Sequence, residues 1–67
     1  MIINIRIKEL RTERGLTQLE VAKGINYSKA IIGFWENGLK DPSASAVYAL
    51  AKFFNVSADY LLGLKDE

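Results

Sequence analysis

Two helix-start signals stand close together in the middle of the chain and constrain the fold more than any other feature. Thr17 is followed three residues later by Glu20, the spacing of a capping box, and Ser28 can cap a second short helix. Asn26 lies between them and tolerates the left-handed backbone that a tight turn needs. Segment 17–38 therefore predicts two short helices joined by a tight turn, an arrangement that can place side chains in the DNA major groove.

Apolar residues recur at helical spacing before and after this segment. The first helix is predicted over 4–14, and its apolar stripe consists of Ile3, Ile7 and Leu10. The fourth helix begins after Pro42-Ser43, and its apolar face consists of Val47, Leu50, Ala51 and Phe54. Ser57 caps a short fifth helix over 58–62.

No segment alternates in the manner of a β-strand, so we predict an all-α, compact five-helix domain. It occupies residues 1–67, with its core over about 4–63 and a short, frayed tail at 64–67. The start at Met1 and the charged tail fit a standalone protein slightly better than one end of a longer chain.

The composition excludes several classes of protein. Cysteine is absent, which rules out disulfides and permits a reducing cytoplasm. The chain has no long apolar run and no signal-peptide pattern, so no membrane partner is expected. Without His, Cys, a carboxylate cluster at metal-ligand spacing or a glycine-rich phosphate loop, we expect no enzyme, cofactor, metal or small-molecule ligand.

Charge is unevenly distributed along the chain. Residues 1–40 hold seven basic and four acidic side chains, whereas residues 41–67 hold two basic and four acidic ones. A positive half suits a protein that offers one end to a polyanion, although an imbalance of this size also arises by chance in small domains.

The starts of the second and third helices supply unpaired backbone N–H groups, which can bind phosphate oxygens. Gln18 can donate its amide to a phosphate there, or it can be a solvated surface residue. Lys29, near the start of the third helix, can donate to guanine O6 and N7, fall back to a phosphate, or remain solvated. Ala30 can meet a thymine methyl, and Gly33 allows close approach of the backbone.

Three further residues of the third helix each have two interpretations. Phe34 can press on sugars or thymine methyls, or pack on the domain's own surface. Trp35 can stack on bases, but its phase with Ile32 favours the core. Glu36 would repel DNA as a free surface acid, and we predict instead that it pairs with Arg11.

Together these residues resemble the Cro/lambda-repressor-type helix-turn-helix family, also called the XRE family. The resemblance covers about residues 4–63, and the matching pattern is Leu16-Thr17-Gln18-x-Glu20-Val21-Ala22, Ser28-Lys29, Ile32, Trp35-Glu36-Asn37-Gly38, Pro42-Ser43 and Phe54-x-Val56-Ser57-x-Asp59-Tyr60-Leu61-Leu62-Gly63. It implies a lambda-repressor-like domain that binds operator DNA, usually as a two-fold dimer, and represses or activates transcription.

The resemblance also implies roles for individual residues. It puts Thr17 and Gln18 on phosphate, and the loop from Asn37 to Lys40 on the flanking DNA backbone. It also puts Ser28, Lys29, Ala30 and Phe34 on the base-facing side. Arg11 and Glu36 stand where the family has its structural salt bridge. The chain departs from the family pattern at Leu19, which is apolar on the second helix, and at Gly24 near the end of that helix. Its base-facing side is also poor in hydrogen-bonding groups. We therefore expect its sequence specificity to depend on methyl contacts and DNA shape.

A single helix in one groove reads few base pairs, so two-fold pairing is expected. We predict a weak homodimer through the loop after Lys40 and the C-terminal helix, with interface candidates Tyr60, Leu61 and Leu64, the first two of which can instead cap the core. An alternative function is a protein-interaction module of the same shape, such as an antitoxin-like or anti-repressor partner. Its apolar contact residues would be Leu19, Ile31 and Phe34.

Overall fold

The computed structural model describes residues 1–66, which form five α-helices and no β-strand. The helices are α1 (Ile2–Glu13), α2 (Gln18–Ile25), α3 (Lys29–Glu36), α4 (Ala44–Phe54) and α5 (Ala58–Leu62). The all-α, five-helix prediction is confirmed, and α1 begins slightly earlier than predicted. None of these helices combines the length and apolar character needed to cross a membrane. Glu67, the last residue of the predicted tail, lies outside the described residues.

Short polar side chains begin four of the helices. The side chains of the four capping residues accept a hydrogen bond from the backbone N–H three residues later, and these caps are Thr17, Ser28, Ser43 and Ser57. Asn26 and Asn55 follow α2 and α4 in the left-handed conformation, with φ of 63° and 57°. Local sequence therefore sets most of the helix boundaries.

The core lies where α3 and α5 pack against α1, and α2 and α5 pack against α4. Every residue of the predicted α1 stripe is buried, as are Ile32 and Trp35 of α3, which confirms the core interpretation of Trp35. Asn4 is the buried polar residue among the described positions, and its Nδ2 donates to the carbonyl oxygen of Trp35 at 2.5 Å. This bond ties the start of α1 to the end of α3.

Gly24 lies where α2 comes close to α4. A Cβ atom at this position would lie 2.1 Å from Cε1 of Phe53, well inside van der Waals contact. The Phe53 ring packs against the core and meets Phe54 edge-on, with ring centroids 5.1 Å apart. The glycine that weakens the end of α2 by its low helix propensity thus makes room for an aromatic ring of α4.

We expect Gly24→Ala to lower the free energy of unfolding by about 1 kcal/mol, since overpacking typically costs about 1–3 kcal/mol and outweighs a propensity gain of up to about 1 kcal/mol. Urea unfolding followed by circular dichroism measures the change. The control is Lys23→Ala at the exposed preceding position, where a change within about 0.5 kcal/mol is expected. A Gly24→Ala variant as stable as the wild type would show that the Phe53 ring moves aside freely.

The chain after α5 folds back onto the domain. The backbone N–H groups of Leu64 and Lys65 donate to the carbonyl oxygen of Asp59 at 2.8 and 3.3 Å. Arg6 of α1 donates from Nη1 to the carbonyl oxygen of Lys65 at 2.7 Å. Backbone hydrogen bonds and an α1 arginine thus contact residues 64 and 65 of the segment predicted to be a frayed tail.

Candidate nucleic-acid interface

The first turn of α2 lies over α3, and Gln18 makes the contact. Its Nε2 donates to Oε1 of Glu36 at 3.2 Å. A Cβ atom at Gly33 would lie 3.8 Å from both terminal atoms of the Gln18 amide, so Gly33 sits beneath that side chain. Gln18 is consequently half-buried rather than a solvated residue, and the second proton of Nε2 is available for another acceptor.

Arg11 and Glu36 form a bidentate ion pair between α1 and the end of α3. Nε of Arg11 lies 2.6 Å from Oε2 of Glu36, and Nη2 lies 3.0 Å from Oε1. The Glu36 side chain is only 2% exposed. The hydrogen bond to Glu36 raises the pKa of Arg11, while burial acts in the opposite direction.

The same guanidinium also reaches the turn before α2, where Nη1 of Arg11 donates to the carbonyl oxygen of Leu16 at 2.9 Å. With the bond from Gln18 to Glu36, this contact links the helices α1, α2 and α3 at one point. Glu36 therefore presents no free negative charge on the surface of α3.

The exposed N-terminal end of α3 carries most of the residues predicted to face bases. Ser28, Lys29 and Ala30 are all exposed, and the Ser28 hydroxyl accepts a hydrogen bond from the Ile31 N–H at 3.3 Å. Thr17 is likewise exposed at the start of α2. These two helix starts and Lys29 form the positive, solvent-accessible part of the site.

The C-terminal end of α3 brings Phe34 and the following loop together. Phe34 is 38% exposed. Nζ of Lys40 lies 5.3 Å from the centroid of its ring. Asn37 ends the helix and is exposed, as is Lys40. The predicted phosphate-contacting loop thus lies against the predicted base-facing aromatic residue.

The capping box at the start of α2 is complete. The Thr17 hydroxyl accepts a hydrogen bond from the Glu20 N–H at 3.0 Å, and Oε1 of Glu20 accepts one from the Thr17 N–H at 2.8 Å. The hydrogen bond from the Thr17 backbone, together with one from its side chain, lowers the pKa of Glu20 below its ordinary value of 4.5.

A carboxyl group whose pKa is lower in the folded state stabilises the fold above its ordinary pKa, and this stabilisation is lost as the pH falls through the folded-state value. We therefore expect the melting temperature of Glu20→Gln to fall less than that of the wild type when the pH is lowered from about 6 to about 3. Thermal melts at these two pH values measure the difference. Parallel pH profiles for the two proteins would mean that the capping bond does not persist in solution.

The residues predicted for a dimer interface have different environments. Leu61 is fully buried and fills the core beneath α5, so its assignment to an interface is corrected: no partner can reach it. Tyr60 is half-buried, and the Arg6 guanidinium lies 4.3 Å from the centroid of its ring. Leu64 is 73% exposed.

An apolar groove between α4 and α5 was not foreseen. Its walls include Pro42, Val47, Tyr48, Val56 and Leu62. Tyr48 is 65% exposed beside the buried Val47. An aromatic residue at an outward position of an amphipathic helix is the signal that could have revealed this surface.

The chain matches the helix-turn-helix family over residues 7–61. It is 39% identical over its whole length to the HTH-type transcriptional regulator ImmR of Bacillus subtilis, of which it spans 52%. Over 76% of its length it is 43% identical to the cryptic phage CTXphi transcriptional repressor RstR of Vibrio cholerae, of which it spans 46%. The chain thus spans about half the length of these two relatives.

Solved structures give the same comparison in three dimensions. The P22 c2 repressor in complex with a synthetic operator superposes with a TM-score of 0.85 at 28% identity, over 91% of this chain and 92% of that one. The solution structure of the DNA-binding domain of the P22 c2 repressor gives a TM-score of 0.86 at 29% identity, over 92% and 82% of the two chains.

Proposed function

Because this chain belongs to the helix-turn-helix family, we propose that it is a transcriptional regulator that places α3 in the major groove of an operator and represses transcription from it. One observation carries the proposal: α3 buries Ile32 and Trp35 and leaves Lys29 and Ala30 exposed, in a domain that superposes on a repressor solved with operator DNA. A regulator of this kind acts in the cytoplasm.

The contacts divide into two groups. Phosphate contacts hold the domain in register, and we assign them to Thr17, Gln18, Asn37 and Lys40. Base-edge contacts determine sequence preference, and we assign them to Ser28, Lys29 and Ala30, with Gly33 allowing close approach of the backbone. Phe34 lies at the other end of the same helix, beside Lys40. Because few of the second group can donate hydrogen bonds, DNA shape supplies a share of the specificity.

A second copy of the chain is the partner we propose for the α4–α5 groove. The groove joins the segment after Lys40 to the C-terminal helix, through Pro42 and Leu62, and the exposed Leu64 follows that helix in the chain. Two-fold pairing would present two α3 helices to the half-sites of a palindromic operator, about 34 Å apart.

We expect a weak homodimer that sedimentation at about 100 µM detects, and that operator DNA strengthens by mass action. Tyr48→Glu should abolish it, because the substitution puts a charge into the apolar groove. Ile5→Glu, at an exposed apolar position of α1 outside the groove, is the matched control and should leave the dimer intact. Monomer alone, with and without operator, would contradict the proposal.

Selection from random duplex DNA at moderate salt tests DNA binding directly. We expect enrichment of a short inverted repeat with half-sites about one helical turn apart. Retention without a shared motif would leave a sequence-independent binder, and no retention at low salt would reject DNA binding.

The alternative, a protein-interaction module, has one observation in its favour. Leu19 is 46% exposed, and Phe34 and the half-buried Ile31 are also apolar and accessible. Salt separates the two functions. Binding that depends on phosphate contacts weakens steeply between about 50 and 200 mM salt, whereas docking of apolar surfaces does not.

A further inference from the structure

The loop after α3 folds back onto Phe34. The backbone N–H groups of Leu39 and Lys40 both donate to the carbonyl oxygen of Phe34, at 2.9 and 3.4 Å. The Lys40 side chain then returns across the ring, with Nζ 5.3 Å from the ring centroid. Backbone and side chain thus hold Lys40 against the same residue.

This ammonium group keeps its charge available. Within residues 1–66, the ion pairs are Arg6–Asp66 and Arg11–Glu36, and neither involves Lys40. A cation over an aromatic face is attracted by the ring quadrupole but is not neutralised, so it can still bind an anion. A carboxylate partner in the same place would cancel the charge instead.

We propose that Phe34 is a positioning residue that holds the Lys40 ammonium ready for a DNA phosphate, rather than a residue that reads bases. The inference rests on the proposed function and deepens it. A lysine side chain loses rotamer freedom when it binds, and a lysine already ordered over a ring loses less. Phe34 is 38% exposed, and on this proposal its exposed ring serves to hold the Lys40 ammonium group.

The two roles for Phe34 differ in what they do to sequence preference. A base contact contributes to one sequence and not to others, whereas a phosphate contact strengthens binding to every sequence about equally. A positioning role also requires that Phe34 contribute nothing once the Lys40 charge is removed.

The free protein gives a test that needs no DNA. Protons on Cε of Lys40 should show an upfield ring-current shift in the NMR spectrum, which Phe34→Leu removes and Phe34→Tyr retains. The absence of this shift in the wild type would overturn the proposal, whatever the protein binds.

The DNA test is a double-mutant cycle on two duplexes: the sequence enriched by selection and a random-sequence duplex of the same length. We expect Phe34→Leu to weaken binding to both duplexes by a similar factor of about two to five. Lys40→Met should weaken both and reduce the magnitude of the salt slope by about 0.9. Phe34→Leu should then have no further effect in the Lys40→Met background.

Two controls keep the result specific. Phe34→Tyr preserves the platform and should bind nearly as well as the wild type. Lys8→Met removes an exposed lysine of α1 and should weaken binding only slightly, through the net charge. A loss confined to the selected sequence, or one that persists in the Lys40→Met background, would overturn the proposal in favour of a base contact. A wild type that binds neither duplex would reject the proposed function, and the role of Phe34 with it, even where the NMR shift is present.

Discussion

Arg11→Met is expected to lower the free energy of unfolding by about 3 kcal/mol, because it leaves the Glu36 carboxylate buried without its cation. Of the hydrogen bonds to this carboxylate within residues 1–66, the one from Gln18 would remain. Methionine retains most of the apolar stem of arginine, so lost packing contributes little. Urea unfolding followed by tryptophan fluorescence measures the change, since Trp35 is buried in the core.

A substitution of Glu36 distinguishes the free energy lost with the ion pair from the cost of leaving a buried charge unpaired. Glu36→Gln in the Arg11→Met background should recover part of the loss, because the uncompensated charge is then gone. Lys8→Met, at an exposed position of the same helix, should change stability by no more than about 0.5 kcal/mol.

Strictly additive effects of the Arg11 and Glu36 substitutions would mean that the two side chains are not coupled in solution.

Lys29→Met is expected to weaken binding to the selected operator about tenfold, within the range of about 1–3 kcal/mol for a lysine contact to guanine. Lys29 is the first residue of α3 and is exposed. Fluorescence anisotropy with labelled duplex measures the loss. Binding to a random duplex should weaken less, because a random sequence does not place a guanine at the proposed Lys29 contact.

Lys23→Met supplies the matched control for charge, since Lys23 is exposed on α2 at the end opposite Gln18. It should affect operator binding only slightly, through the net charge. If Lys29→Met binds the operator as well as the wild type does, the assignment of Lys29 to the recognition surface is wrong.

The helices were predictable because their signals are local. Each side-chain cap acts on a backbone N–H three residues away, and Asn26 adopts a conformation that its own short side chain tolerates. The burial of Trp35 followed from its spacing with Ile32. These inferences need no knowledge of how the helices pack against one another.

What could not be predicted depends on packing between distant residues. The bond from Gln18 to Glu36 and the approach of Gly24 to Phe53 depend on how α2 lies on its neighbours. Leu61 was open to two interpretations because an apolar residue near the C-terminus can complete a core or meet a partner. Only the position of α5 against α1 and α4 decides between them.

The division of α3 into two faces has a consequence for how its specificity can change. Ile32 and Trp35 hold the helix in the core, while Lys29 and Ala30 contribute nothing to that packing. With the proposed function, substitutions at the exposed positions are expected to alter operator preference with little effect on stability. The proposed recognition surface can therefore vary in sequence while the interior of the domain stays the same.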